Sequence, residues 1–230
     1  MGVGSVTPEG AQVQDFRISY DLGVLTEDML AADPFTQFTN WFADATRANI
    51  LEPNAMVVST VRESGQPTSR SVLLKDISPQ GFSFYTNLQS NKSNQISHNP
   101  RVSLLFPWYE LHRQVIVTGQ AELIDREAVT EYFNSRPRES QMGAWASNQS
   151  TVLASREELD AQYRDVVARF ESVDVIPVPD FWGGWLVRAE SVEFWQGRPS
   201  RLHDRLVFIK SGSDSNLTLA DNWGVQRLSP

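Results

Sequence analysis

Cationic and aromatic side chains crowd into one short segment of an otherwise acidic chain. The segment EFWQGRPSRLHDR, residues 193–205, contains an upstream tryptophan, three arginines and a histidine, namely Trp195, Arg198, Arg201, Arg205 and His203. Guanidinium groups bind phosphate and carboxylate through paired hydrogen bonds, and an indole ring offers a flat surface to a planar heteroaromatic ring. The segment therefore predicts a pocket for an anionic, aromatic small molecule.

Further cations occur where predicted strands end or turns begin. Arg70 and Lys75 border the run RSVLLK, and their odd spacing means that they cannot share one face of a strand. Lys92 follows the polar turn NLQSNKS, whose backbone N–H groups could bind an anion. Taken singly, such cations are more often solvated strand-edge residues or complements to a helix dipole. Taken together in an acidic chain, they favour a phosphate-bearing ligand.

The bulk composition excludes several classes of protein. The 230 residues carry a formal net charge of −8, which argues against nucleic acid and anionic membranes as partners. The absence of cysteine excludes disulfides and thiolate chemistry, in keeping with a cytoplasmic protein. No apolar run reaches the roughly 18 residues that a membrane span needs. Residues 1–16 lack the features of a secretory signal and are predicted to form a mobile tail.

Several well-defined catalytic motifs are missing. The chain contains neither the glycine-rich dinucleotide loop nor the Walker phosphate loop, and it has no H-E-x-x-H and no G-x-S-x-G. His98 and His112 have no acidic or histidine partner at ligand spacing, so surface positions are expected for both and no metal site is predicted.

The elements that must position these residues are mostly short strands. The runs AMVVSTV, SVLLKDI, FSFYTN, RVSLLFPW and RQVIVTGQAELI are rich in β-formers and are separated by turn-like pieces. Such close spacing predicts an antiparallel sheet or barrel and not βαβ units. The later segment WLVRAESVEFWQG predicts a hairpin-forming strand.

Helices are predicted on either side of these strands. Asp33 and Pro34 suit the start of an amphipathic helix, and DREAVTEYFNSRP predicts a helix that stops at Pro137. Ser155 and Glu158 form a capping-box pattern at the start of SREELDAQYRDVVARFESV. The whole predicts a mainly β, α+β protein with flanking helices, in a single domain over residues 17–230.

Long ordered segments resemble one known family. The segments are RSVLLK, FYTNLQSNK, NPRVSLLFPW, RQVIVTG, YFNSRPRESQMGAWASNQS, FWGGW, VEFWQGRPSRLHDR and the terminal RLSP. Together they resemble the pyridoxamine 5′-phosphate oxidases, FMN-dependent enzymes of vitamin B6 metabolism, from about Arg17 to Pro230. The resemblance implies an antiparallel FMN-binding split β-barrel that forms a homodimer with FMN at the interface.

The resemblance also implies which residues contact each ligand. The implied cofactor set is Arg70, Ser71, Val72, Leu73, Leu74, Lys75, Tyr85, Thr86, Asn91, Lys92, Gln114, Gln149, Ser150, Trp195 and Arg205. The implied substrate set is Arg17, Tyr20, Lys75, Tyr132, Arg136, Ser140, Arg201 and His203, of which Arg201 and His203 would lie over the pyridine ring as the catalytic pair. Asn91 departs from the family, which usually has Arg there, so one cationic contact to the FMN phosphate is replaced by an amide. No role is predicted for Arg198.

The implied activity is oxidation of pyridoxamine 5′-phosphate and pyridoxine 5′-phosphate to pyridoxal 5′-phosphate, with O₂ as acceptor and hydrogen peroxide as the second product. One alternative is a related flavin oxidase that acts on another aromatic substrate, such as a phenazine precursor. Another is a non-catalytic protein that binds FMN or pyridoxal phosphate. The resemblance implies that four of these residues hold the substrate phosphate, namely Lys75, Tyr132, Arg136 and Ser140, and their presence favours the B6 substrate. The pair Arg201 and His203 favours an enzyme.

Overall fold

A computed structural model describes residues 18–230 of the chain. The predicted tail, residues 1–16, and the predicted substrate residue Arg17 lie outside the described residues. The bounds of the expected single domain, 17–230, stay a prediction.

Nine strands are the most abundant regular structure among the described residues. Their bounds are β1 Ala55–Val61, β2 Pro67–Leu73, β3 Asp76–Ser78, β4 Gly81–Asn87, β5 Arg101–Trp108, β6 Arg113–Leu123, β7 Trp182–Gln196, β8 Asp204–Lys210 and β9 Trp223–Arg227. The run SVLLKDI, read as one strand in the sequence, is divided here: β2 ends at Leu73, β3 begins at Asp76, and Lys75 lies in the break. Arg70 accordingly lies inside β2 and not at its border.

The strands form one antiparallel sheet within residues 18–230, in the order β2-β1-β5-β6-β7-β4-β3, with β8 between β7 and β9. The long strand β7 organises it. One edge of β7 pairs with β6 from Trp185 to Gln196. The other edge pairs first with β4, up to Val187, and then with β8, from Ser191 onward. Because β4 and β8 leave the same edge at different points, the sheet curls and divides there.

Five helices lie on the described part of the chain: α1 Pro34–Arg47, α2 Asn91–His98, α3 Arg126–Ser135, α4 Arg138–Ala146 and α5 Arg156–Phe170. Asp33 caps α1 as predicted, since its carboxylate accepts from the N–H of Thr36. Ser155 caps α5, also as predicted. None of the helices among residues 18–230 is long and apolar enough to cross a membrane.

Helix α4 was not expected. The sequence predicts that a helix ends at Pro137, which places Arg136 and Arg138 at the end of that helix. The structure confirms that α3 stops just before Pro137, but Arg138 is the first residue of α4. The Pro137 carbonyl accepts from the N–H groups of Ser140 and Gln141, at 2.9 and 3.1 Å, so the same proline that ends one helix starts the next.

Two apolar clusters hold these elements together. In the larger one, α1 packs across the sheet: the Phe38 ring meets Phe82 at 5.0 Å between centroids, and Trp41 meets Phe194 at 5.2 Å. The smaller cluster lies under α3, α4 and α5 and contains Phe133 and Trp182. This second cluster fixes the helices against the start of β7.

Candidate active site

A cavity of about 640 Å³, called here the main cavity, lies between β2, β4 and helices α2 to α4. Half of the predicted residues line it: Ser71, Val72, Leu73, Lys75, Tyr85, Thr86, Lys92, Tyr132, Arg136, Ser140 and Gln149. They come from stretches of chain far apart in sequence. The fold therefore assembles the predicted phosphate-binding residues in one place.

Lys92 is buried in the first turn of α2 at one side of the main cavity. Its Nζ donates to Thr86 Oγ1 at 3.0 Å, Ser90 Oγ at 3.2 Å and Gln149 Oε1 at 2.6 Å. Each of these acceptors is neutral. Burial, and then the positive charge of Arg70, lower the pKa of Lys92 to about 8. A buried ammonium beside another cation, with only neutral partners, suits an anionic ligand.

Arg70 is held by hydroxyl and carbonyl groups. Its guanidinium donates to Thr60 Oγ1 and Thr68 Oγ1, both at 2.6 Å, and to the Val58 carbonyl at 3.2 Å. Gln95 of α2 accepts from both threonine hydroxyls and so orders them. Burial lowers the pKa of Arg70, and no carboxylate among the described residues offsets its charge. No local sequence pattern signals this support, because Gln95 is far from both threonines along the chain.

The loop between α4 and α5 closes the same end of the cavity. Ser150 adopts a left-handed φ of 72°, and its hydroxyl accepts from the backbone N–H of Asn91 at 3.2 Å. The first residue of α2 and the loop after α4 are thereby joined. The Asn91 amide, where the family pattern usually has Arg, adds no charge at this end.

A stack of three rings forms another wall of the main cavity. Tyr85 and Tyr132 stack at 4.0 Å with an interplanar angle of 20°, and Tyr85 and Trp182 at 5.5 Å with an angle of 9°. Burial raises the pKa of the Tyr85 hydroxyl. Gly184 permits the stack, because a Cβ there would lie 2.8 Å from the Tyr85 ring.

Arg136 lies against this stack. Its Cζ is 4.9 Å from the centroid of the Trp182 ring and 5.5 Å from that of Phe133. One guanidinium nitrogen, Nη1, is buried and has no hydrogen-bond partner among the described residues. Burial lowers the pKa of Arg136. A buried donor without an acceptor is costly, so an incoming oxyanion would satisfy Nη1 at little desolvation cost.

A second group of predicted residues lies away from the main cavity and comprises Tyr20, Gln114, Trp195, Arg201, His203 and Arg205. Gln114 of β6 pairs across the sheet with Trp195 of β7, and Trp195 pairs with Arg205 of β8. Tyr20 packs against Trp195 and His203 with ring centroids 5.9 and 5.7 Å apart. Gln114, Trp195 and Tyr20 line a separate cavity of about 220 Å³. A single chain therefore does not bring all of the predicted site residues into one cavity.

The loop that carries Arg201 and His203 has an unusual backbone. Ser200 and Arg201 have positive φ values of 57° and 63°, which side chains larger than glycine adopt at a cost. The backbone N–H of Arg198 donates to His203 Nδ1 at 3.0 Å, which gives Arg198 a positioning role that the sequence did not reveal. Burial, and then the charge of Arg201, lower the pKa of His203. Because Nδ1 accepts a hydrogen bond, the proton of the neutral ring lies on Nε2.

Arg205 is already paired within the chain. Its guanidinium donates to both carboxylate oxygens of Glu193, at 2.7 and 3.0 Å, and to the Ser229 carbonyl at 3.0 Å. This pair raises the pKa of Arg205. The side chain of Arg201, by contrast, is exposed and forms no ion pair or hydrogen bond with residues 18–230. Of the two, Arg201 is the guanidinium that is free to bind a ligand.

Family comparisons cover almost all of the described chain. Residues 42–169 match the family described as pyridoxamine 5′-phosphate oxidase. Residues 182–230 match the region described as the pyridoxine 5′-phosphate oxidase C-terminal dimerisation region. The second match contains Trp182 as well as Trp195, Arg201, His203 and Arg205.

Curated relatives agree over nearly full length. The chain is 46% identical over 221 residues to the pyridoxine/pyridoxamine 5′-phosphate oxidase of Shewanella woodyi, covering 96% of this chain and 100% of that protein. It is 49% identical over 218 residues to the protein of the same name from Streptomyces avermitilis, covering 93% and 94% of the two chains. The protein of the same name from Acidothermus cellulolyticus is 50% identical to the chain over 209 residues, covering 90% of this chain and 91% of that protein.

Solved structures share the fold. The structure of PhzG from Burkholderia lata 383, in complex with tetrahydrophenazine-1-carboxylic acid, superposes with a TM-score of 0.80 at 27% identity, covering 90% of this chain and 98% of that one. An FMN-binding protein from Nostoc punctiforme superposes with a TM-score of 0.65 at 15% identity, covering 84% and 97%. The predicted split β-barrel is confirmed, and the chain belongs to the pyridoxamine 5′-phosphate oxidase family.

Proposed function

We propose that the chain oxidises pyridoxamine 5′-phosphate and pyridoxine 5′-phosphate to pyridoxal 5′-phosphate, with FMN as cofactor and O₂ as electron acceptor. The observation that carries the proposal is the main cavity, which holds two separate sets of phosphate-binding groups. Lys92 forms one set with Thr86 and Gln149 in the cavity wall, and Arg70, which does not line the cavity, lies near enough to lower the pKa of Lys92. Arg136 forms the other, beside Tyr132 and Ser140. Two phosphate sites in one cavity suit a phosphorylated cofactor beside a phosphorylated substrate.

The residues present fit FMN at the first of these sets. Lys92 is buried and Arg70 is partly buried, and the described partners of both cations are neutral, so a phosphate dianion would compensate both charges. FMN, when bound, supplies the redox chemistry, which is the two-electron oxidation of the substrate and the passage of those electrons to O₂ to give hydrogen peroxide. The flavin class of cofactor follows from family membership, and FMN in particular is proposed here.

The second set would hold the substrate. Arg136 Nη1 would donate to the substrate phosphate, with Tyr132, Ser140 and Lys75 around it. Anchoring the phosphate restricts the orientation of the pyridine ring, which lowers the entropic part of the barrier. The Nε2–H of His203 would donate a hydrogen bond to the substrate, and Arg201 would cover the ring. Tyr20, packed on His203, would exclude water from that face.

A second copy of the chain completes the site in this proposal. Trp195, Arg201 and His203 lie outside the main cavity of their own chain, and they fall in the segment that matches a dimerisation region. In a homodimer, these residues of each protomer would cover the main cavity of the other. The proposed site is therefore composite, with its phosphate-binding residues and its ring-covering residues on different protomers.

An anaerobic spectrum tests the proposed function. The purified protein is loaded with FMN, and its visible spectrum is recorded before and after pyridoxine 5′-phosphate is added without oxygen. The expected result is bleaching of the flavin bands and their return on admission of air. Bound flavin that stays oxidised with both B6 phosphates would refute the proposed substrate. Bleaching by a dihydrophenazine carboxylate instead would favour the phenazine alternative.

The cytoplasmic location expected from the sequence stays a prediction.

A further inference from the structure

The ring of Trp182 lies beside two predicted ligand contacts of the main cavity, Tyr85 and Tyr132. It is the first residue of β7 and is 6% exposed, and neither the sequence nor the implied residue sets gave it a role. Its ring is 5.5 Å from that of Tyr85 and 6.0 Å from that of Tyr132, at interplanar angles of 9° and 11°. Trp182 is thus parallel to one predicted cofactor contact and one predicted substrate contact.

The same ring carries the guanidinium of Arg136. The 4.9 Å separation between Arg136 Cζ and the Trp182 ring centroid lies within cation–π range. The cation is half-buried and one of its nitrogens has no described partner. An aromatic face can hold the guanidinium in place through its charge without using any of its N–H donors. Arg136 therefore keeps a donor free for a ligand. A carboxylate in the same position would neutralise it and compete with a phosphate.

Trp182 is itself firmly anchored. Its backbone carbonyl accepts a hydrogen bond from Arg126 Nη1 at 2.8 Å, and its backbone N–H donates to the Pro179 carbonyl at 3.0 Å. Its ring meets Phe133 edge-on, with centroids 5.0 Å apart. A ring restrained on several sides can restrain what lies against it.

We infer that Trp182 is a positioning residue for substrate phosphate, acting through Arg136. It presents the guanidinium to the cavity with Nη1 unoccupied, and it aligns Tyr132 in the same stack. This inference rests on the proposed function, in which Arg136 binds the phosphate of the B6 substrate. It adds that recognition of the phosphate depends on an aromatic platform that does not itself contact the phosphate.

The test is a double-mutant cycle between Trp182 and Arg136. Trp182→Leu and Trp182→Phe are made in the wild-type chain and in Arg136→Ala. The readouts are the KM and kcat for pyridoxine 5′-phosphate and the dissociation constant of pyridoxal 5′-phosphate, measured by absorbance titration. Melting curves establish that each variant is folded. Trp182→Phe, which keeps an aromatic face, remains informative if Trp182→Leu does not fold.

Trp182→Leu should weaken pyridoxal 5′-phosphate binding and raise KM by about tenfold, with Trp182→Phe in between. The kcat should change by less than about twofold, because Arg136 is still present and can still anchor the phosphate of the bound substrate. In the Arg136→Ala background, neither substitution should weaken binding further. The control is Trp145→Phe, since Trp145 carries Arg169 in a similar cation–π contact at 4.7 Å but neither residue lines the main cavity. It should leave KM unchanged.

Three results would overturn the inference. They are an unchanged KM and dissociation constant in Trp182→Leu, an equal loss in the Arg136→Ala background, or an equal loss in Trp145→Phe. Failure of the wild-type protein to oxidise the substrate would refute the proposed function instead. The ligand titrations would then still decide whether Trp182 acts through Arg136.

Discussion

At the scale of single residues, Lys92 is the side chain whose charge state has the clearest consequence. Its pKa of about 8 means that the ammonium loses its proton as the pH rises through about 8 in the protein without ligand. A phosphate dianion favours the protonated form. The affinity for FMN should therefore be highest below pH 8 and decrease above it, by up to about tenfold per pH unit if no other group compensates.

Flavin fluorescence quenching between pH 7 and pH 9.5 would measure this dependence. Lys92→Met should bind FMN weakly at all these values and should remove the dependence. Riboflavin, which lacks the phosphate, serves as a matched ligand and should show no such trend. An identical pH profile in Lys92→Met would assign the effect to another group.

Arg136 and Arg205 show how residue type alone falls short of predicting function. Both were predicted ligand contacts, yet Arg205 is occupied by Glu193, whereas Arg136 has a free buried nitrogen. Glu193 of β7 lies diagonally across from Arg205 of β8, two residues before Trp195, which is the register partner of Arg205. Residue type predicted that both arginines could bind anions, but only their neighbours in the folded chain decide which one is available.

At the scale of elements, the pairing of β6 with β7 depends on Gly119. The register shifts between Thr118 and Gly119, and a Cβ at Gly119 would lie 2.0 Å from the Arg188 carbonyl oxygen. The strands could not keep their present separation around an alanine. Gly119→Ala should destabilise the fold by about 2 kcal/mol or more, which lowers Tm by roughly 4 to 8 °C.

Thermal unfolding followed by circular dichroism would check this value. Gly224→Ala in β9 is the matched control, because a Cβ there meets only the Ile209 carbonyl oxygen at 3.9 Å. Its Tm should stay close to that of the wild type. Equal melting temperatures for the two variants would show that the close approach at Gly119 is absent in solution.

Most elements could be predicted from the sequence, because alternating β-formers and capping residues are local signals. Asp33 and Ser155 marked helix starts correctly for this reason. Helix α4 could not be predicted because Pro137 lies between two helices. A proline there indicates that a helix ends, but it does not show that another helix begins directly after it. The contact of Lys92 with Gln149 was also beyond local patterns, because it joins α2 to a loop that follows α4.

At the scale of the whole molecule, the separation of the predicted residues into two groups leads to a test of the composite site. Arg136→Ala inactivates the main cavity, and Arg201→Ala inactivates the ring-covering group. In a heterodimer of these variants, one site would contain both substitutions and the other would contain neither. The purified heterodimer should thus regain about half of the wild-type activity, although each homodimer is impaired.

Co-expression with two different affinity tags would yield that heterodimer, and a peroxide assay would measure its activity. Two wild-type chains carrying the same tags provide the reference. If both groups serve the same chain, every site in the heterodimer retains a defect and no activity returns. The assay thereby separates a shared site from one confined to a single protomer.

The length and double pairing of β7 also bear on the protein without its cofactor. Its central residues have hydrogen-bonded strands on one or both edges, so their amide hydrogens can exchange with solvent only when large parts of the sheet open. We expect the slowest hydrogen exchange in the molecule there, with or without FMN. Trp182 and Trp195 lie at the two ends of that strand. The protein without FMN would then keep the same distance between its two groups of site residues. FMN would therefore bind to a sheet that is already folded.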